Sequence, residues 1–556
     1  MHFATRSKVG TLLSLLVLAI VVSSFVLIGL FSHATASHAA SAQAYNATKG
    51  ILTPSATVNL KKLPANLSHT IGTYVPRGLR HIHRASVASS SSNGQISSSS
   101  ITHKTDGLVK KFNGVSSLDS AVTNFGLEFE PPDQGLCVGN GFVVEPVNSA
   151  FTIYHTNGSV VAGPFNVNVL FNEGLTEFTS DPRCYFDKST NTWFATILFI
   201  SSDNTIGRTD LAVNTSGDPT TNWTVYHING THKGGPGCPC FGDQPLLGID
   251  QNNVYISTNE FSILGSQFNG AQIYAISKTD LVVKAKSVHF VHFGDLSIGG
   301  TVAASVQPAI SYGIPNAEYF MNSLDPNGTF DNRIGVWAMT DRQAVSKGGV
   351  PTLSSILITS EPYGLPPGAV QKGASSLLDS GDDRMQQVQY INDNLWGELT
   401  TSVTIPNDTA QRAGAAWFKV RPQLDASGKL INSAKIANQG YVVSSGNYLL
   451  YPAIQASTNG TAAIVMTLTG SNYFPSVVYT TLQQNGNAFG AIHIALNGTG
   501  PYDPTATRWG DYSWATLDPD TNNFWMATEY IPPASSQTLD GLRNWGTGVI
   551  EVSAKS

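Results

Sequence analysis

Charge is what this chain has least of. Asp, Glu, Lys and Arg make up only 12% of its 556 residues, and the net charge is −6. So small a charge over such a length gives no electrostatic footprint for nucleic acid. No HExxH, GxSxG or glycine-rich phosphate loop occurs, which removes the usual support for zincin, α/β-hydrolase and NTPase chemistry. Cysteine is scarce too, with four residues: Cys137, Cys184, Cys238 and Cys240. Cys238-Pro-Cys240 with His232 nearby is half a zinc pattern, but no second ligand pair follows at a recognisable spacing. The four therefore read as disulfide cysteines of an oxidising compartment, with all three pairings open.

Long apolar runs are also missing, except at the start. Arg6 and Lys8 precede an apolar stretch from Leu12 to Phe31, followed by the small-residue sites Ala34-Thr-Ala36, Ala40-Ser-Ala42 and Ala42-Gln-Ala44. Residues 1–44 are expected to be a secretion signal or, uncleaved, a membrane anchor, and either places the remainder outside the cytoplasm. Residues 45–101 are Ser- and Ala-rich and end in SVASSSSNGQISSSS. With no apolar period to offset ordering entropy, they are expected to form a flexible stalk. Ten Asn-x-Ser/Thr sequons would bear glycans only in a host that modifies exported proteins.

What the chain does have is turn residues between short apolar runs, in a pattern that recurs seven times over residues 102–556. Paired runs around a turn lie at 135–148, 183–199, 246–261, 308–324, 388–402, 452–469 and 513–530. A third apolar run follows each, at Phe151, Asp210, Gln272, Gly335, Ala416, Ser476 and Gly548. A more polar fourth follows the first six, for example TVYHI from Thr224, SVHF from Ser287 and IHI from Ile492. The seventh lacks room for a fourth, while GLVKKF at 107–112 is a spare strand ahead of the first. The expectation is an all-β, seven-bladed β-propeller of four-stranded antiparallel blades, closed by an N-terminal strand, with six blades as the alternative count. A β-sandwich would explain neither the seven similar units nor the matched missing and spare strands. Trp193, Trp337, Trp417 and Trp525 are expected to pack between blades, and the molecule to be a monomer.

The residues leading into each innermost strand repeat a theme. They are Asp133, Asp181 with Arg183, Asp243, Asp295, then Asp382, Asp383 and Arg384, and finally Arg508, Trp509, Asp511 and Tyr512; the sixth unit has Tyr448 and Tyr451 instead. Two readings stand. Each Asp fastens its own blade, and each Arg pairs with the nearby Asp181, Asp382 or Asp511. Alternatively the carboxylates converge on the channel mouth, to hold a calcium ion or to supply a general acid, while three guanidinium forks bind an acidic ligand such as a carboxylated sugar. No cofactor is required, and a structural calcium is the metal such crowding allows. Trp509 and Tyr512 are candidates to stack on a sugar ring or to pack in the rim. Asp518-x-Asp520-x-Asn522 resembles the start of a calcium loop but lacks its Gly and distant Glu, so it reads as a hairpin turn.

The motifs PPDQG…VNSAFTIY, DPRCYFDKSTNTWF, GDQPLLGI…VYISTNEF and WGDYSWATLDP…FWMATEY span most of residues 131–531. In these the chain resembles the secreted, sialidase-like β-propeller group. The resemblance implies a channel-mouth site in which Arg183, Arg384, Arg508, Tyr512, Glu529 and Asp133 would fill the roles of three arginines, a Tyr–Glu pair and an Asp acid/base. The turn motif Ser-x-Asp-x-Gly-x-Thr-Trp of sialidases is absent, SLDPNGTF at Ser323 carrying one residue too many. Catalytic sialidases usually have six blades, against the seven counted here. The functional expectation is a secreted or cell-surface propeller binding a glycan or extracellular polymer. The alternatives are a glycoside hydrolase or lyase acting on acidic glycans, and an extracellular protein-interaction scaffold.

Overall fold

The computed structural model describes residues 45–63, 98–324, 330–502, 508–533 and 544–555. The readings of residues 1–44 as signal or anchor, and of 64–97 as stalk, lie outside the described residues. No helix among those described is long and apolar enough to cross a membrane.

Strand pairing falls into consecutive antiparallel runs. The first joins Cys137–Gly139, Phe142–Pro146, Ala150–His155 and Val160–Asn166. The second joins Phe178–Asp187, Thr192–Ile200, Gly207–Asn214 and Asn222–Asn229. The third runs from Cys240–Ile249 to Val288–Phe293, the fourth from Gln307–Ser311 to Thr352–Tyr363, the fifth from Gln387–Ile391 to Ile431–Val442 and the sixth from Asn447–Ala456 to Ile492–Leu496. Trp514–Leu517, Phe524–Tyr530 and Gly546–Val552 form the last run, and its fourth strand is Leu108–Ser116, antiparallel to Gly546–Val552. The innermost strands of the third, fourth and fifth units also pair with one another in parallel, through Ile249↔Ile310 and Ala309↔Val388.

Local sequence explains the hairpins. Asn140-Gly141 and Asn392-Asp393 each close a two-residue turn with both residues at positive φ (50° and 81°, 49° and 60°). That twist matches flanking strands, and Asn, Asp and Gly tolerate it best. The core lies between neighbouring units. Cys137, Val144 and Phe151 of the first meet Cys184, Trp193 and Ala212 of the second. Similar clusters join the second to the third, and so on through the sixth and seventh. Trp514 and Trp525 of the seventh then pack on Leu136, Val138 and Tyr154 of the first. Trp193, Trp337, Trp417 and Trp525 all take part, each fully buried. Burying each such ring contributes roughly 1.5–3 kcal/mol.

Part of the segment read as a flexible stalk is structured. Ala47–Leu52 adds antiparallel to Val288–Phe293, Ala56–Asn59 to Asn222–Asn229, and Ile101–Thr102 parallel to Ile492–Leu496. ATKGIL and ATVN, separated by Thr-Pro-Ser, carry enough β-branched residues to pair, and the outer edges of these units offer free backbone groups. The disulfides are Cys137–Cys184, which ties the innermost strands of the first two units, and Cys238–Cys240, which is local.

Candidate functional site

Each innermost strand is reached through one residue in the left-handed region. These are Asp133 (φ 47°), Asp181 (57°), Gln244 (48°), Ser305 (46°) and Tyr451 (48°), with Gly381 (65°) and Gly510 (53°) in the fifth and seventh units. At Asp181, Gln244 and Tyr451 a proline follows, and the ladder skips there: pairing jumps from Asp243 to Leu246 and from Leu450 to Ala453. Proline cannot donate to the ladder, so the strand bulges. The preceding side chain is turned out of the sheet. Non-glycine residues seldom accept this conformation, and such strain is found where the surrounding structure holds a functional geometry.

Side chains of the lead-ins meet one another, and three of these contacts skip a unit. The Arg384 guanidinium of the fifth donates to Gln244 Oε1 of the third. Arg508 of the seventh pairs with Asp379 Oδ2 of the fifth at 3.4 Å. Arg183 of the second lies 3.1 Å over the ring centre of Tyr512 in the seventh. Contacts between non-neighbouring units need the lead-ins to converge. Neighbouring lead-ins are joined as well: the Asp511 amide donates to Asp133 Oδ1 at 2.7 Å, and Asn148 links Asp133 Oδ2 (2.8 Å) to the Asp181 amide (2.7 Å).

Of the sequence-predicted residues, Asp133, Asp181, Arg183, Asp243, Asp382, Arg384, Arg508, Asp511 and Tyr512 are brought together, and Glu529 faces the Gly510 amide beside them. Asp383 is fully buried. The arginines divide between the two readings. Arg384 grips Asp382 with Nε (2.7 Å) and Nη2 (2.6 Å), and Arg508 pairs with Asp511, as local fastening requires. Arg183 does neither. It is fully buried, and among the described residues nothing accepts from its three guanidinium nitrogens. The carboxyl of Asp181 is equally buried, and neither oxygen has a donor there.

Asp295 is exposed and stays outside the cluster; the fourth unit contributes Ser305 at its strained position instead. Trp509 and Tyr512 do not face solvent. Trp509 is fully buried edge-on to Tyr502, ring centres 4.9 Å apart, and Tyr512 carries Arg183 on its face while its hydroxyl donates to Pro182 O at 3.2 Å. Asp518 accepts from the Asp520 amide and Thr521 Oγ1, Asp520 pairs with Lys188, and Asn522 takes φ 61°, so this stretch is a hairpin turn. Gln244, Asp379 and Asn148 were not foreseen. Gln244 was readable, since it fills the same pre-proline slot as Asp181 and Tyr451.

Burial dominates the electrostatics. It raises Asp133 far above the carboxylate range, with repulsion from Asp511 and Asp181 adding to it. Asp181 rises likewise, with Asp243 and Asp511 adding and Arg183 and Arg384 opposing. Asp243 is pushed up to about 7 by burial, against the pull of Arg384. Glu529 is raised by burial and by Asp133. Carboxyls outnumber guanidiniums here, and two of the three guanidiniums are held by Asp side chains. The members nearest solvent are Asp379, Arg508 and Arg384, with side chains 23%, 15% and 14% exposed.

No protein-family model and no curated protein sequence matches the chain. Solved structures resemble it at the level of fold. A Trypanosoma rangeli sialidase in complex with sialic acid shares 10% identity over 73% of this chain and 57% of its own, with a TM-score of 0.34. A Penicillium chrysogenum α-L-arabinanase complexed with arabinobiose shares 10% over 67% of this chain and 93% of its own, TM-score 0.34. The GH93 α-L-arabinofuranosidase of Fusarium graminearum shares 11% over 79% and 98%, TM-score 0.32.

Proposed function

We propose that the seven antiparallel runs form a closed seven-bladed β-propeller of an exported protein, and that the polar cluster where its lead-ins converge binds an uncharged glycan. The ring closure is supported by the pairing of Leu108–Ser116 with Gly546–Val552 and by the packing of the seventh unit on the first. Export is supported by the two disulfides.

One observation carries the ligand assignment. Arg183 and Asp181, two residues apart and both buried, have donors and acceptors without partners among the described residues, whereas Arg384 and Arg508 are already held by carboxylates. Buried polar groups are ordinarily satisfied, so an orphan guanidinium beside an orphan carboxyl points to a missing partner. A sugar hydroxyl is both acceptor and donor and serves the two together. A uronate or sialate would instead meet a surplus of carboxyls and would have to displace Asp382 or Asp511 from its arginine.

The test is titration calorimetry of the protein with neutral and uronate oligosaccharides. Binding should be confined to the neutral set and fall at least about tenfold in Asp181→Asn and Arg183→Lys, the cost of about one charge-assisted hydrogen bond. Binding of uronates alone, or of neutral sugars equally well by both variants, overturns the assignment.

A second reading, glycoside hydrolysis, is favoured by Asp243. A carboxyl raised to about 7 keeps its proton in about half of the molecules at neutral pH, which suits a general acid. In that case Asp243→Asn abolishes release of reducing ends while leaving oligosaccharide binding in place.

A further inference from the structure

The sequence offered one cysteine pair for a metal and no second pair of ligands. The fold supplies one further ligand, Glu260, and sets His232 against it. Residues 230–239 lead into Cys240–Ile249, and the partner strand Asn253–Ser262 places Glu260 opposite Gly242. The sulfurs of Cys238 and Cys240 and a carboxylate oxygen of Glu260 all lie within 4.8 Å of one another. His232, on the same lead-in and outside that group, is hydrogen-bonded to Glu260 Oε2 through Nδ1. Asn269 stands in the middle: its Nδ2 is 2.9 Å from Glu260 Oε1, 3.6 Å from Cys240 Sγ and 3.9 Å from Cys238 Sγ. One neutral donor, which also reaches Pro236 O at 3.0 Å, thus serves three acceptors that a cation would draw together.

We propose that Cys238 and Cys240, once a dithiol has opened their disulfide, bind a soft divalent cation such as Zn²⁺ together with Glu260 and His232. The dithiol delivers two electrons and two protons. The Sγ–Sγ bond breaks, two thiols form, and the reductant closes to its own disulfide. Each thiol then loses its proton to solvent as its sulfur binds the cation, and the Asn269 amide is displaced. Two thiolates, an imidazole and a carboxylate make a four-ligand set of the kind tetrahedral zinc takes. Access favours this pair over the other. Cys240 is fully buried, as are Cys137 and Cys184, but Cys238 is only half-buried and the His232 side chain is 26% exposed, so a reductant reaches this bridge at Cys238. Gly234 and Gly237 at positive φ on either side of Pro236 let the lead-in adjust. The site is separate from the cluster of converging lead-ins and does not rest on the glycan assignment.

The test uses the whole protein, treated with a mild dithiol until two thiols per chain titrate and then freed of reductant. Zn²⁺ uptake is read by competition with a chromophoric chelator, and Co²⁺ uptake by its absorption. The reduced chain should bind one cation and the oxidised chain none, with a thiolate-to-cobalt charge-transfer band. Glu260→Gln should weaken binding roughly ten- to a hundredfold, and Cys238→Ser/Cys240→Ser should abolish it. The proposal is overturned if the reduced chain takes up no cation or if the oxidised chain binds as tightly. It is equally overturned if the double serine variant still binds, or if the two titrating thiols map to Cys137 and Cys184.

Discussion

The Arg183 guanidinium lies over the Tyr512 ring, 3.1 Å from its centre, and 4.9 Å from the centre of the Trp514 ring. Fully buried and without a hydrogen-bond partner among the described residues, this charge is held by ring faces and by the carboxyls of Asp181, Asp133 and Asp511 around it. Burial pulls its pKa below the usual arginine range, and Tyr512 and those carboxyls pull the other way. Arg183→Lys removes the guanidinium from the ring but keeps the charge. It should destabilise the protein by about 2 kcal/mol, the size of a desolvated cation–π contact, seen as a lower urea midpoint with an unchanged slope.

Stability should also report on Asp243. Its folded pKa is raised to about 7, above the ordinary carboxyl value of the unfolded chain. The folded state therefore holds its proton more tightly than the unfolded one, and the associated stability is present at low pH and lost as pH rises through about 7. Asp243→Asn cannot ionise and escapes that loss. Its unfolding free energy relative to the native protein should accordingly climb between about pH 4 and pH 7. Denaturant curves at pH 4.5 and 7.5 check this, and an unchanged difference between the two sinks it.

Glu145 gives a third test. It accepts from the Val115 amide at 2.9 Å and from Thr547 Oγ1 at 2.5 Å, so one carboxyl joins the first unit to the spare N-terminal strand and to the last strand. Gly114 leaves it room: a Cβ there would run into both Glu145 oxygens and Thr547 Oγ1. Gly114→Ala should cost about 2–3 kcal/mol by overpacking, measured by thermal unfolding. Gly490→Ala, at a position without positive φ where a Cβ meets nothing closer than Thr481 O at 3.6 Å, is the control for backbone effects alone.

The Cys137–Cys184 bridge spans 47 residues and ties neighbouring innermost strands. Replacing both cysteines with alanine should lower stability by roughly 3–4 kcal/mol in the chain-entropy account, read from guanidinium unfolding. A loss confined to below about 1 kcal/mol would mean that packing around Val144 and Phe186 holds the two units without it.

The strands were legible because turn residues and β-branched runs alternate locally. All seven hairpins, and the pairing of 107–112 with the chain's last strand, follow from that pattern. The partners of the arginines were half legible. Arg384 and Arg508 hold Asp residues two and three positions away, which sequence proximity suggests, whereas Arg183 reaches Tyr512 across a long-range fold. Asp295 shows the limit in the other direction: its FGD spelling matches FGDQP at Asp243, but it sits outside the cluster on an exposed loop. Burial also changed the meaning of Trp509, since a motif does not say which way its ring turns.

The strand Leu108–Ser116 waits for a partner made far later: Val115 and Thr547 meet across 432 residues. At ordinary synthesis rates of about 5–20 residues per second that delay is roughly 20–90 s. Throughout it a nascent chain carries an unpaired early strand and a growing row of half-covered sheet faces. Biogenesis, more than the finished molecule, is then where this protein is exposed to aggregation. A chaperone that shields early strands until the last one emerges should raise its yield more than any stabilising substitution in the finished fold.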